Sequence, residues 1–288
     1  MSFELEQHEP VAKGLRRVFT EELQSAAKML QPPESEDRDR AIHEARKSVK
    51  KVRGVLRLLQ PQLGSDYKKV NTQLRGIGRK LSAFRDAGAM LETVTLLEKA
   101  YPKDLGKAKL AALKTALKRE KTKAEHEGNL DTVFEDLAAE LQSLAAQAEH
   151  WKLKGKGFDA IAKSFQKSFR QGRKAMDQAL SEGSDIDFHE WRKRVKDHWY
   201  HVRLLQPCDE KLAAYGKLLK NLETWLGDDH NLVVLHQNPL LSKNTAAQTL
   251  AARQRDELRA KSVELGRELY GVKPGKLTAM VRESWEAW

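Results

Sequence analysis

The chain has 288 residues, 40% hydrophobic and 32% charged, with 52 Lys and Arg against 41 Asp and Glu and a formal net charge of +11. Its single cysteine, Cys208, excludes an intrachain disulfide and suits a reducing compartment. The acidic opening Met1-Ser2-Phe3-Glu4-Leu5-Glu6 lacks a signal core, and no apolar run approaches the ~20 residues of a bilayer span, so a soluble cytoplasmic protein without membrane insertion is expected. A positive surplus of this size points to a polyanionic partner: nucleic acid, an anionic membrane face or a phosphate polymer.

Ala, Leu, Lys, Glu, Arg and Gln dominate, and apolar residues recur at helical spacing almost everywhere, so an all-α fold is predicted. The first helix runs from Val11 to Leu30, ended by Pro32-Pro33. The second runs from Arg38 to Gln60, opened by Glu36-Asp37 and stopped by Pro61. The third covers Asp66 to Ala100, ended by Pro102, and the fourth Asp104 to Glu127, ended by Gly128-Asn129. A linker helix follows within residues 128–156, its amphipathic part at Asp131 to Trp151 before Lys154-Gly155-Lys156-Gly157. The second half repeats the order: Phe158 to Glu182 stopped by Gly183, Asp185 to Gln206 stopped by Pro207, Asp209 to Gln237 stopped by Asn238-Pro239, and Leu241 to Tyr270 stopped by Gly271. Residues 272–288 form a tail with one short docked helix carrying Trp285 and Trp288. The predicted architecture is two four-helix bundles, residues 11–127 and 157–271, related by a pseudo-twofold axis around a basic central surface or pore.

The two halves share a sentence. His43-Glu44-Ala45-Arg46-Lys47-Ser48-Val49-Lys50 through Arg57-Leu58-Leu59-Gln60-Pro61 aligns without a gap on His189-Glu190-Trp191-Arg192-Lys193-Arg194-Val195-Lys196 through Arg203-Leu204-Leu205-Gln206-Pro207, with 11 of 19 positions identical. A repeat kept for packing alone would hold its apolar positions best, whereas this one holds its basic positions equally well. Further along, Leu81-Ser82-Ala83-Phe84-Arg85-Asp86 aligns with Leu226-Gly227-Asp228-Asp229-His230-Asn231.

On a helical wheel His43, Arg46, Lys47, Lys50 and Arg57 fall within an arc of about 100°, as do His189, Arg192, Lys193, Lys196 and Arg203. Ile42, Ala45, Val49, Val52, Leu56 and Leu59 form the neighbouring apolar face, matched by Phe188, Trp191, Val195, Val202 and Leu205. Like charges at i, i+4 destabilise a helix, and only Glu44 and Glu190 stand nearby to neutralise them. Such a stripe is either a solvated face or a surface for a linear polyanion, and its repetition in a chain of this charge favours the second. Two readings of His43 and His189 stay open: a histidine bonded to local backbone or to the adjacent Glu, or an N–H donor to a phosphate oxygen. Arg17 and Lys28 on the first helix, with Lys163 and Lys174 in the second half, could join the surface. So could Arg75 and Arg79 on the third helix, Lys217 and Lys220 in the second half, and Arg119 and Lys123 on the fourth.

The paired His-x-x-Arg-Lys-x-x-Lys…Arg-Leu-Leu helices, each followed by a helix carrying Leu-Ser-Ala-Phe-Arg-Asp or Leu-Gly-Asp-Asp-His-Asn, resemble the CHAD family (conserved histidine α-helical domain) over residues 10–271. The resemblance implies two pseudo-symmetric helical bundles with a basic central surface, and binding of inorganic polyphosphate in the cytoplasm, including polyphosphate granules, without catalysis or cofactor. It maps the binding motif onto His43, Arg46, Lys47, Lys50 and Arg57, and onto His189, Arg192, Lys193, Lys196 and Arg203. Glu4-Leu5-Glu6-Gln7-His8 lacks the Lys of the Glu-x-Glu-x-Lys signature that opens the triphosphatase domain often joined to this family.

Charge also permits weak nucleic-acid binding, but no zinc-finger spacing, helix-turn-helix or RNP-like strand motif stands out, and core packing is the expected role of the six tryptophans. A phosphate-metabolising enzyme would want a phosphate loop, and Gly271-Val272-Lys273-Pro274-Gly275-Lys276-Leu277 misses that motif in spacing and hydroxyl. Asp228 and Asp229 could hold Mg²⁺, though a helix-surface or capping role is the expectation. His198 and His201 could share a helix face toward a metal, but spacing supplies no third ligand.

Overall fold

The computed structural model describes residues 2–31, 38–103, 107–127, 129–155, 157–239, 241 and 245–288. These residues form α1 (Val11–Met29), α2 (Arg38–Leu58), α3 (Gln60–Leu63), α4 (Ser65–Ala100), α5 (Lys107–Glu127), α6 (Leu130–Glu149), α7 (Asp159–Glu182), α8 (Asp185–Leu205), α9 (Glu210–Gln237), α10 (Thr245–Tyr270) and α11 (Pro274–Ala287), with no strand among them. The fold is all-α, as the sequence predicts. Pro32-Pro33, Glu36-Asp37, Asp104 and Gly128, read as helix ends, lie outside the described residues.

Local chemistry sets the boundaries. Gly183 takes the left-handed conformation (φ +69°) that closes α7, its N–H donating to the Ala179 carbonyl at 3.0 Å. Ser184 Oγ then accepts from the Asp187 N–H at 3.2 Å and starts α8. Asp209 accepts from the Lys211 N–H at 2.7 Å and starts α9. Pro61, expected only to stop the second helix, sits inside the one-turn α3. This is the first turn of a helix, where its missing N–H has no intrahelical acceptor to lose.

α1 packs on α2, α2 on α4 and α4 on α5; α7 packs on α8, α8 on α9 and α9 on α10. The halves thus keep the same neighbour order, but their cores do not separate along the sequence. One core joins Leu15, Phe19, Val52 and Leu74 of the first half to Phe165, Trp191, Val202 and Leu222 of the second. A smaller core closes the far ends of the α4–α5 and α9–α10 hairpins through Val94, Leu97, Leu113, Leu117, Leu235 and Ala251. The linker helix α6 packs along α1 and buries Phe134, Leu137, Leu141 and Leu144, so it belongs to the body of the fold. α11 docks on α7 through Leu277 and Val281. The N-terminal arm buries Phe3 and Leu5 and ties the Leu5 N–H to the Leu204 carbonyl at 2.9 Å.

Candidate functional site: a basic cavity between the repeated helices

The repeated helices α2 and α8 cross at Gly54 and Tyr200. A Cβ on Gly54 would stand 2.9 Å from the Tyr200 Cβ, and His201 Nε2 donates to the Gly54 carbonyl at 3.0 Å. Glycine is required there because the helices approach too closely for any side chain. Beside this crossing, α4 and α9 join α2 and α8 around a cavity. The four helices line this half-open cavity, of about 580 Å³.

α2 contributes His43, Arg46, Lys47 and Lys50 to its lining; α8 contributes Arg192, Lys196, Trp199, Tyr200 and Arg203. Arg85, Met90, Glu92 and Thr93 come from α4, and Lys220, Glu223, Asp228, His230 and Asn231 are among those from α9. Among the described residues, eight Lys and Arg side chains therefore face three carboxylates. At this density each ammonium raises the cost of charging its neighbours. Burial pushes the Lys50 ammonium down to about 7, helped by Lys196, Arg46 and Arg192. Burial also lowers Lys196, although Glu223 opposes the shift.

Glu223 is the internal counter-charge. Its carboxylate accepts from Lys196 Nζ and Lys220 Nζ, each at 2.7 Å, and lies 3.7 Å from Arg192. Burial would raise this carboxyl, but Lys196 and Lys220 hold it down at about 2, so it stays ionised. Arg85 pairs with Glu92 at the α4 wall. Burial raises the Asp228 carboxyl, with Arg192 opposing. Trp199 stands in the wall with Lys220 Nζ 4.8 Å and the Arg203 guanidinium 5.3 Å from its ring centroid.

The motif residues do not all converge. His43 and Lys47 sit at the rim, Lys47 reaching Glu44 at 3.1 Å. Lys193 turns to Glu190, which also holds Arg194 at 2.6 Å, and does not line the cavity. Arg57 is held by Asp197 at 3.1 Å and donates to the Arg53 carbonyl at 2.9 Å. It shares the wheel arc of His43 but lies about 21 Å further along the helix axis, beyond the crossing. Its counterpart Arg203 does line the cavity. His189 stands behind the wall, its ring stacked 3.9 Å from that of His230, which takes the lining position. Burial lowers both imidazoles, His230 to about 4, so both are neutral at pH 7.

The outlying cations separate further. Arg17 is clamped by Glu9 at 2.7 Å, with Glu6 and Glu21 at 3.4 Å, and fixes the N-terminal arm. Lys28, Arg75, Arg79, Lys163, Lys174 and Lys217 are exposed and outside the cavity lining, whereas Lys220 lies within it. Arg119 and Lys123 line a separate shallow groove on α5 with Lys118. Sharing a helix face with a lining residue is insufficient when the next turn already points past the wall.

Other expectations change too. Asp229 is no surface or capping residue: it is buried and held by Arg255 at 3.2 Å and Arg259 at 3.0 Å, tying α9 to α10. His198 and His201 are buried at different places, His198 Nδ1 2.8 Å from Ser168 Oγ and His201 on Gly54. Trp191 is core, as expected, but Trp199 belongs to the cavity wall. Arg85 and His230 carried a sequence signal, the alignment of the third helices, without being assigned a role. Glu223 carried only its spacing from Lys220.

A family model described as CHAD domain matches residues 17–238, which include all four helices that wall the cavity. Among solved structures, PptA from Streptomyces chartreusis is similar over 92% of this chain and 100% of its own, with 18% identity and a TM-score of 0.63. The CHAD domain from the plant Ricinus communis is similar over 94% of each chain, with 16% identity and a TM-score of 0.58. No curated protein matches the sequence. The family model covers well over half of the residues, and both solved structures share the all-helical fold: the chain belongs to the CHAD family.

Proposed function

We propose that this protein binds inorganic polyphosphate, without catalysis, in the cavity walled by α2, α4, α8 and α9. The observation that carries the reading is the convergence, among the described residues, of eight Lys and Arg side chains, four of them from each half, on one cavity with three carboxylates. A phosphate polymer supplies about one negative charge per unit and needs guanidinium forks and ammonium groups rather than base-stacking surfaces. Membership of the CHAD family supports the same ligand. Trp199 already has two cations against its ring, which favours phosphate over a nucleobase at that wall.

Calorimetric titration with polyphosphates of graded length, at two salt concentrations and in competition with single-stranded DNA and RNA of equal charge, tests the proposal. Affinity is expected to rise with chain length, fall steeply with salt and exceed that for either nucleic acid. Arg46→Ala with Lys50→Ala is expected to weaken binding by about a hundredfold or more, through loss of two charge-assisted contacts. Lys193→Ala, at a side chain turned to Glu190, is expected to change it less than about threefold. Equal losses in the two variants, or nucleic acid winning the competition, would refute the cavity reading.

A further inference from the structure

The repeat is broken at Glu223. Lys50 and Lys196 are equivalent positions of the repeated helix, and both line the cavity. Lys196 has Glu223 at 2.7 Å. In the alignment of the third helices, one residue shorter than that of the repeated helix, Glu223 corresponds to Gly78 and Lys220 to Arg75. Gly78 offers no side chain to Lys50; a Cβ there would meet only Val49, at 3.8 Å. Among the described residues Lys50 has no carboxylate within ion-pair distance. Arg192 Nε is buried without an acceptor, while its Nη2 leans toward Glu223.

We propose that Glu223 is a specificity-determining residue: a resident anion that occupies Lys196 and Lys220, so that an incoming phosphoryl group is received on the side of Lys50. The inference rests on the reading of the cavity as a phosphate site and adds a polarity to it. A carboxylate bonded to two lysines has already compensated their desolvation, so those lysines gain little from a second anion. A phosphoryl group beside Glu223 would also meet a like charge in a half-buried setting, where screening by water is weak. Lys50 has the opposite balance. It bears the repulsion of Arg46, Lys196 and Arg192, partly offset by the more distant Glu223, and an anion relieves that cost directly.

Titration of the full chain with tripolyphosphate, a probe short enough to report on the cavity alone, separates the two sides. Lys50→Gln is expected to lose about tenfold or more in affinity and Lys196→Gln about threefold or less. Glu223→Gln, nearly isosteric, is expected to bind about tenfold tighter with a steeper salt dependence, because Lys196 and Lys220 become available. Equal losses in the two lysine variants, or weaker binding by a folded Glu223→Gln, would overturn the assignment of Glu223 while leaving the cavity as a phosphate site. If Glu223→Gln fails to fold, the two lysine variants still decide the matter. A wild-type protein that binds neither tripolyphosphate nor long chains would remove the site itself, and this inference with it.

Discussion

Lys50 and Lys196 carry the same side chain at the same position of the same repeated helix, yet they differ in charge balance. Burial penalises both, but only Lys196 has a bonded carboxylate. With its ammonium lowered to about 7, Lys50 is largely neutral in the unliganded cavity at pH 8. A bound anion favours the charged form, so binding above pH 7 takes up a proton. Affinity should therefore fall with rising pH by up to about tenfold per unit, since one pKa unit is worth about 1.4 kcal/mol. Terminal phosphates gain charge over the same range and act in the opposite direction. Lys50→Arg isolates the lysine, because arginine stays charged. Calorimetry at pH 8 in two buffers of different ionisation heat should show proton uptake by the wild type that Lys50→Arg lacks. Residue identity at Arg46, Lys47 and Lys50 was legible from the repeat. The inequality of Lys50 and Lys196 was not, because Glu223 is 27 residues from Lys196 in the chain.

At the scale of elements, the crossing of α2 and α8 decides which part of each basic stripe can act together. Both helices present their cations on one face by simple periodicity, and that much follows from spacing. The early turns of both stripes meet in one cavity beside the crossing at Gly54 and Tyr200, and Arg203 of α8 joins them, while its counterpart Arg57 is left to an ion pair with Asp197. Gly54→Val would drive branched carbon into Tyr200 and displace the carbonyl that holds His201. Overpacking at this contact is expected to destabilise the fold by about 1–3 kcal/mol in chemical denaturation. Because the same contact sets the separation of α2 and α8, the variant should also weaken polyphosphate binding under conditions where it remains folded. Gly54 faces Tyr200 in the repeat alignment itself, so glycine opposite a large aromatic was visible in the sequence. That the two meet in space was not, since an alignment of equivalent positions says nothing about their contact.

Across the whole molecule, stability and binding are carried by different parts. α11 contributes buried Leu277 and Val281 and bonds Ser284 to Asp209 at 2.7 Å, and none of its residues lines the cavity. Removing residues 272–288 exposes the apolar face of α7 and takes two fully buried aliphatic side chains from the core. A loss of about 3–5 kcal/mol in denaturant unfolding is expected, with affinity for tripolyphosphate unchanged in the folded fraction. The converse holds for Lys50→Gln, which should change affinity with little change in unfolding midpoint.

What the sequence determined by itself was everything set by short-range rules. Helix type, most helix ends, the repeat and its basic registry depend on residues three or four positions apart, on caps and on proline. The capping Ser184 and Asp209 and the left-handed Gly183 act within one turn of where they stand. What only the tertiary structure decided was which charges meet. Glu223 neutralises Lys196, Asp197 withdraws Arg57, Asp229 bridges to α10, and the two halves share one core, each through contacts between different helices. Coulomb energy depends on distance in space and on exclusion of water, and neither can be read from separation along the chain.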